Sequence, residues 1–135
     1  MASIHLDIVT PEKRVVSIEV DEVRAPGAEG QFGVRPGHTP FMTAIEPGEL
    51  LFTAGGRTQR YAIGGGFIEV AGDKVIVLAD TAEPAEEIDI ERARRAGEDA
   101  MKRLAGLRDT DPAYPVEAAR VKRAAARVSV GTRRV

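Results

Sequence analysis

The 135-residue chain contains no cysteine and no tryptophan, and it has only two histidines. Without cysteine, neither a disulfide nor a thiolate metal site nor a cysteine nucleophile can form. His5 and His38 lie far apart in the sequence, and neither has a second histidine at ligand spacing. Ser3, Ser17 and Ser129 lack the histidine and glycine context of a hydrolase nucleophile. The sequence therefore predicts no metal site and no catalytic site.

Long apolar runs are also absent. No apolar stretch approaches the roughly 18 residues that a membrane-spanning helix requires. The opening stretch "MASIHLDIVT" lacks the basic and then apolar layout of a signal peptide. We expect a soluble protein that stays in the compartment where it is made.

The net charge of −2 is distributed unevenly along the chain. Residues 1–88 carry 7 basic and 14 acidic side chains, a balance of −7, whereas residues 89–135 carry 12 and 7, a balance of +5. Glycine and proline are concentrated in the first part, and alanine and arginine dominate the second. The sequence predicts two domains, over residues 1–87 and 88–135.

The first part shows the alternation typical of strands. Ile4, Leu6 and Ile8 alternate with polar residues, and similar short runs follow, separated by proline- and glycine-rich turns. Two longer apolar runs fold back at residues 55–56 and 72–73, where glycine favours a tight hairpin turn. This pattern predicts an antiparallel β-sandwich or a flattened barrel.

The glycine run in "GGGFIEV", residues 64–70, raises the question of a phosphate-binding loop. Such a loop requires a helix directly after the glycines, so that backbone N–H groups and the helix dipole meet the anion. Here a valine- and isoleucine-rich stretch follows, and no Gly-Lys-Ser/Thr step is present. We assign the run to a strand.

The second part predicts two helices joined by the connector "RDTDPAYP". Asp89 is a suitable N-cap for the first helix and Gly106 a plausible stop, and the second helix is expected from Val116. The predicted apolar positions are Ile90, Ala93, Gly97, Ala100, Met101 and Leu104 in the first helix, and Ala118, Val121, Ala125 and Val128 in the second. Because alanine and glycine bury little apolar surface, we expect an antiparallel hairpin that packs weakly and can detach.

Arg120, Arg123 and Arg127 form a basic stripe beside the apolar positions of the second helix. Two interpretations stay open: a solvated helix face, or a contact with phosphate or with an acidic protein surface. Nucleic acid is not a predicted partner, because the stripe has no aromatic residue to stack a base and the whole chain is acidic.

The stretches "LDIVTPEKRVVS", "APGAEGQFGVRPGHTPFMTAIEPGEL", "GGGFIEVAGDKVIVLADTAE" and "IDIERA" occur in the order found in the epsilon subunits of F-type, proton-translocating ATP synthases. The chain resembles this family over essentially its whole length. The resemblance implies a sandwich followed by a helical hairpin, with no catalytic activity of its own. It also implies a rotor component that contacts the gamma subunit and the c-ring at the cytoplasmic face of the bacterial inner membrane. The hairpin of such a protein can extend to the alpha and beta subunits and inhibit ATP hydrolysis.

The resemblance also implies roles for particular residues. The expected c-ring contacts are Glu29, Gln31 and His38, and the expected inhibitory contacts are Arg120, Arg123 and Arg127. Some family members bind ATP, as a regulatory ligand rather than a required cofactor, through an Ile/Leu-Asp-x-x-Arg-Ala motif. The matching residues are Glu83, Ile88, Asp89, Arg92, Ala93, Arg123 and Arg127. The alternative is that Asp89 only caps the helix and Arg92 is solvated.

Pro112 and Pro115 disfavour one continuous helix, so we expect an extended arm to remain two helices with a bend. The rival interpretation is a free-standing module that binds a ligand or nucleic acid through a basic hairpin. It predicts binding without partner subunits and a steep dependence on salt.

Overall fold

The computed structural model of the protein describes residues 3–133. The strands are β1 (Ile4–Val9), β2 (Arg14–Val20), β3 (Glu22–Gly27), β4 (Gly30–Val34), β5 (Phe41–Ala54), β6 (Arg57–Ala71), β7 (Lys74–Ala79) and β8 (Ala82–Pro84). A short 3-10 turn at Ala85–Glu87 leads to the helices α1 (Ile90–Ala105) and α2 (Ala113–Thr132). The predicted fold class, a sandwich followed by a helical hairpin, is confirmed.

The strands are ordered β2-β1-β7-β6-β5-β3-β4, and β8 pairs with β6. Neighbouring strands are antiparallel except for β1 and β7, which are parallel, so the prediction of purely antiparallel pairing was wrong at this pair. A parallel pair requires a long connection between its strands. Here β2 to β6 provide that connection, and the local turn signals in the sequence do not reveal it.

The two predicted hairpins are confirmed as β5–β6 and β6–β7. The glycine run lies inside β6, as expected, at the position where this 15-residue strand changes its partner from β8 to β7. Gly66 has a φ of 146°, and a Cβ there would lie 2.0 Å from the Leu78 carbonyl oxygen. No side chain fits there, so glycine allows β6 to approach β7 this closely with a positive φ.

The core of the sandwich consists of the inward-facing positions of the alternating strands. Ile4, Leu6 and Ile8 are buried, which confirms the predicted alternation in β1. The other large and fully buried side chains include Val20, Val23, Val34, Leu50, Phe52, Ile63, Ile68, Val70, Val75 and Val77. Burial of this many branched and aromatic side chains is the main stabilisation of the sandwich.

Helix α1 begins and ends as predicted. Asp89 accepts a hydrogen bond from the Arg92 backbone N–H at 3.1 Å, and Gly106 is the C-cap. Ala93 and Ala100 are buried, but Met101 is 59% exposed, so its assignment to the buried face was wrong. The helices approach each other closely at small residues, as where Gly97 meets Ala124, and Met101 remains exposed.

Helix α2 differs from the prediction at its start and in its buried face. It begins at Ala113 rather than Val116, because Pro115 lies in the first turn, where its missing N–H has no intrahelical partner to lose. The expected apolar positions are half-buried or, at Ala125, exposed. The residues buried instead are Glu117, Ala124, Ala126, Val130 and Gly131. Because α2 contacts both α1 and strands β5 and β6, its buried positions occupy more than one face.

The hairpin is folded against the sandwich. Ala62 of β6, Ala85, Ile88 and Val130 of α2 form a small apolar cluster of their own, separate from the main core. Within residues 3–133, no helix is long and apolar enough to cross a membrane.

Candidate functional site

A cleft of about 790 Å³ lies between the sandwich and the hairpin. The sandwich wall comes from the β1–β2 turn, from β6 and from the β7–β8 connection. The helical wall carries Arg103 of α1 together with Arg120, Arg123 and Arg127 of α2. Lys13 of the β1–β2 turn adds another cation, and acidic residues on both walls keep the lining close to neutral.

Glu83 and Arg127 form an ion pair that joins the sandwich to α2 at one edge of this cleft. Arg127 Nε donates to Glu83 Oε1 at 2.8 Å, and Arg127 Nη2 donates to Glu83 Oε2 at 3.4 Å. Both side chains are 31% exposed, so the paired carboxylate and guanidinium are partly shielded from water. Two parallel bonds of this kind fix orientation better than one. The structure thus brings together two of the residues that the sequence assigned to nucleotide binding.

Arg123 lies one helical turn before Arg127 and packs over the glycine run. A Cβ at Gly64 would be 3.0 Å from Arg123 Cδ and 2.1 Å from Thr81 Oγ1, so glycine is required for this close approach. Arg123 is half-buried, and its guanidinium has no acidic partner among residues 3–133. Arg123 is therefore a cation of the cleft that remains available to an external anion.

The four residues of the ATP motif lie outside the cleft. Ile88 and Ala93 are buried, Asp89 caps α1, and Arg92 is exposed. The structure therefore does not place the motif and the basic residues of α2 around one cavity. The capping interpretation of Asp89 accounts for the hydrogen bond that its side chain accepts from the N–H of Arg92.

Glu117 is a functional candidate that the sequence analysis missed. Its side chain is 8% exposed and accepts hydrogen bonds from Arg103 Nε at 3.0 Å and from Arg120 Nη1 at 2.6 Å. Burial would raise the pKa of Glu117, but the hydrogen bonds and charges of the two arginines outweigh burial and lower its pKa. In the sequence, only the three-residue spacing of Glu117 and Arg120 indicated this cluster. The contact of Glu117 with Arg103 forms only when the two helices pack together in the hairpin. Arg120 is therefore already paired in the folded hairpin.

The residues expected to contact the c-ring lie in and around β4. Glu29 is exposed in the tight turn between β3 and β4, and Gln31 is exposed in β4. His38 is half-buried in the following loop, where its ring lies 5.1 Å from that of Phe41. The His38 Nδ1 is 2.8 Å from the Thr39 carbonyl oxygen, which requires a hydrogen on Nδ1. These contacts hold the imidazole in one orientation in the loop between β4 and β5.

An exposed apolar row crosses the outer face of the sheet, and the sequence analysis did not predict it. Phe67 of β6 pairs directly with Leu78 of β7 and with Ala44 of β5, and Val9 of β1 lies beside Leu78. Phe67 and Leu78 are each 55% exposed, and Met42, two residues before Ala44, is 70% exposed. In the sequence, consecutive apolar residues in β6 and β7 indicated this row, because a strand with one exposed face would alternate apolar and polar residues. We call Val9, Met42, Ala44, Phe67 and Leu78 the apolar row.

A polar cluster on β1 and β2 corrects the expectation that no histidine lies near Ser17. His5 Nε2 is 3.1 Å from Ser17 Oγ, and His5 Nδ1 is 2.5 Å from Glu19 Oε2. These atoms occur in the order of a hydrolytic triad, but Ser17 also hydrogen-bonds Asp7, and this bond lowers the pKa of the Asp7 carboxyl. The serine lies on a regular strand rather than on a sharp turn that would expose a nucleophile. We assign the cluster no hydrolytic role.

Comparison with known proteins gives one consistent family. The family model described as "ATP synthase, Delta/Epsilon chain, beta-sandwich domain" matches residues 3–85, and "ATP synthase, Delta/Epsilon chain, long alpha-helix domain" matches residues 86–131. The ATP synthase epsilon chain of Anaeromyxobacter sp. (strain Fw109-5) is 62% identical over 131 residues, which cover 97% of this chain and 99% of the relative. The ATP synthase epsilon chain of Myxococcus xanthus (strain DK1622) is 50% identical over 128 residues, covering 95% and 94%.

Solved structures agree with these relatives. A chain of the Euglena gracilis mitochondrial ATP synthase, solved as OSCP/F1/c-ring, superposes with a TM-score of 0.77 at 27% identity, covering 90% of this chain and 77% of that one. A chain of the Tetrahymena thermophila mitochondrial ATP synthase central stalk and c-ring gives a TM-score of 0.63 at 13% identity, covering 96% and 93%. The second likeness concerns the fold alone.

Proposed function

Since this chain belongs to the epsilon branch of the ATP synthase delta/epsilon chain family, we propose that it is a non-catalytic rotor subunit that couples proton transport to ATP synthesis and restrains ATP hydrolysis through its hairpin. The similarity to epsilon chains over almost the full length carries this proposal. The proposed location is peripheral, on the cytoplasmic face of the bacterial inner membrane.

The proposed partner of the apolar row is the gamma subunit. Phe67, Leu78 and Met42 expose large apolar side chains on a regular sheet face, and contiguous apolar surface of this kind is typical of a protein–protein contact. The proposed partner of the residues in and around β4, namely Glu29, Gln31 and His38, is the c-ring. The similar Euglena chain was solved in an assembly that contains F1 and the c-ring, which supports this choice of partner.

The hairpin is proposed to inhibit hydrolysis when its arginines reach the alpha and beta subunits. In the folded hairpin, Arg120 is paired with Glu117 and Arg127 with Glu83. Extension of the hairpin would separate Arg127 from Glu83, leaving a guanidinium that an acidic surface on the catalytic subunits could take over. Glu83 therefore competes with the catalytic head for the same cation.

Hydrolysis of ATP by a matched alpha/beta/gamma assembly tests this proposal. The assembly is measured alone, with the full chain, and with the full chain carrying Arg123→Gln or, as a matched control, Lys122→Gln. We expect the full chain to slow hydrolysis, Arg123→Gln to relieve the inhibition, and the exposed neighbour Lys122→Gln to leave it unchanged. Co-elution confirms binding of each variant. If the bound full chain leaves the rate unchanged, the inhibitory role is wrong, and failure to bind at all would refute the rotor role.

Regulation by ATP is a separate proposal. Glu83, Arg123 and Arg127 line the cleft, but the motif residues Asp89 and Arg92 do not. We expect ATP, if it stabilises the folded hairpin, to require Arg123 of the cleft. Thermal unfolding of the full chain with increasing ATP checks this, with Arg123→Gln expected to abolish the shift in Tm and Lys122→Gln expected to keep it. A shift that survives Arg123→Gln but is lost with Arg92→Gln would place the nucleotide on the motif instead.

No observation favours the rival module that binds nucleic acid. The chain is acidic overall, and two of the three arginines in the basic stripe are engaged in ion pairs with glutamates.

A further inference from the structure

The last turn of α2 fits, without space for a side chain, against the Ile88–Ile90 segment that joins the sandwich to α1. Gly131 is buried, and a Cβ there would lie 2.9 Å from Ile90 Cγ1 and 3.1 Å from Ile88 Cγ2. Val130 is fully buried beside Ile88 in the small apolar cluster. Both contacts are at the distal end of α2, far from the connector between the helices. The fit therefore depends on glycine at residue 131.

Arg133, two residues after Gly131, forms an ion pair with the sandwich. Arg133 Nη1 donates to Glu49 Oε1 at 3.2 Å, and Arg60 of β6 donates to the same oxygen at 3.1 Å. The Glu49 side chain is only 12% exposed, so loss of Arg133 would uncover a carboxylate that depends on two cations for compensation. Glu49 belongs to β5, which places this contact on the sandwich and not within the hairpin.

The remainder of the hairpin is held to the sandwich mainly through the same helix. α2 makes extensive contact with β5, β6 and the 3-10 turn, whereas α1 packs chiefly against α2. Gly97 of α1 illustrates this, since a Cβ there would meet Ala124 Cβ of α2 at 3.0 Å. Separation of α2 from the sandwich would therefore carry α1 away with it.

We propose that the last turn of α2, Val130–Arg133, is a latch that holds the hairpin on the sandwich, and that release of the hairpin begins there. The latch has two parts, the glycine fit of Gly131 on Ile88 and Ile90 and the ion pair of Arg133 with Glu49. A regulatory role for this latch rests on the proposed function, because only a released hairpin could reach other subunits. The latch itself is a property of the isolated chain and is tested there.

The absence of cysteine allows a direct distance measurement on the full chain. Spin labels are attached to cysteines introduced at the exposed residues Thr58, in β6, and Asp109, in the connector between the helices. The latched protein is expected to give one narrow distance distribution. Gly131→Ala is expected to add a second, broader population and to raise the ratio of released to latched hairpin about tenfold or more, the size of effect that overpacking typically has.

Gly97→Ala is the matched control, because it adds the same methyl group to a helical glycine that faces Ala124 of α2 and not the Ile88–Ile90 segment that joins α1 to the sandwich. It is expected to leave the distance distribution nearly unchanged. The proposal is overturned if Gly131→Ala keeps a single distance, or if Gly97→Ala releases the hairpin equally. Slow hydrogen exchange of the β6 and β7 amides verifies that the sandwich of each variant is folded.

Glu49→Gln tests the ionic part, with Glu46→Gln as its control at an exposed position of the same strand. We expect Glu49→Gln to increase the released population and to remove most of its dependence on salt. An unchanged population would exclude the ion pair from the latch. A failure of these measurements leaves the proposed inhibition of hydrolysis untouched, and a failure of the hydrolysis assay leaves the latch untouched, so the two proposals are separable.

Discussion

Removal of the N-cap of α1 provides a quantitative test of how the hairpin is stabilised. The Asp89 carboxylate accepts the Arg92 N–H at 3.1 Å, in the extended backbone conformation that an N-cap requires. Asp89→Ala leaves this N–H without its partner and is expected to cost about 1 kcal/mol. Asp89→Asn keeps an oxygen acceptor and loses only the favourable interaction of the charge with the helix dipole, about 0.3–1 kcal/mol.

Hydrogen exchange of the α1 amides in the full chain measures this difference. If exchange proceeds through opening of the hairpin, a loss of about 1 kcal/mol accelerates it about fivefold. Asp89→Ala should reach this factor and Asp89→Asn should fall clearly below it, while the amides of the sandwich stay unaffected. Equal acceleration in both variants would show that charge and not capping matters. Unchanged exchange in Asp89→Ala would refute the capping role, and the nucleotide interpretation of Asp89 would then gain weight.

Three further outcomes are expected. Gly66→Ala should destabilise the chain to urea by about 3 kcal/mol or more, because of its positive φ and the clash with a backbone carbonyl. Gly33→Ala should not, because a Cβ there would make only ordinary van der Waals contacts with Glu22 and Arg24. Glu117→Gln should lower stability at pH 7. Because the pKa of Glu117 is lowered in the folded protein from 4.5, the stabilisation is present above about pH 4.5 and is lost as the pH falls further, so the two urea curves should converge in acid. Phe67→Ser should weaken co-elution with the gamma subunit without lowering Tm, and a normal co-elution would exclude the apolar row as the contact.

The parts of the fold that follow from local patterns were predictable. The alternation of Ile4, Leu6 and Ile8 identifies a half-buried strand, and paired glycines identify the β5–β6 turn, because few other residues adopt a positive φ. The cap at Asp89 was equally local. Such features depend on residues a few positions apart, and their physics is readable without the tertiary structure.

The parts that depend on packing between distant segments were not predictable. The bond between Glu83 and Arg127 joins residues 44 positions apart, and each residue alone resembles an ordinary solvated charge. Glu117 is buried only because α1 brings Arg103 over it. Met101 follows the apolar periodicity of α1 but remains exposed, since helical periodicity does not say how wide the covered face is.

The parallel pairing of β1 with β7 has a consequence for the order in which the chain folds. During synthesis β1 can pair at once with β2, but its other edge must wait until Lys74–Ala79 has emerged, about 65 residues later. Until then the growing chain presents an open strand edge that other chains could occupy. All the strands precede both helices in the chain, so this order allows the sheet to close before the hairpin has emerged, and the hairpin can then be added to a surface that is already formed.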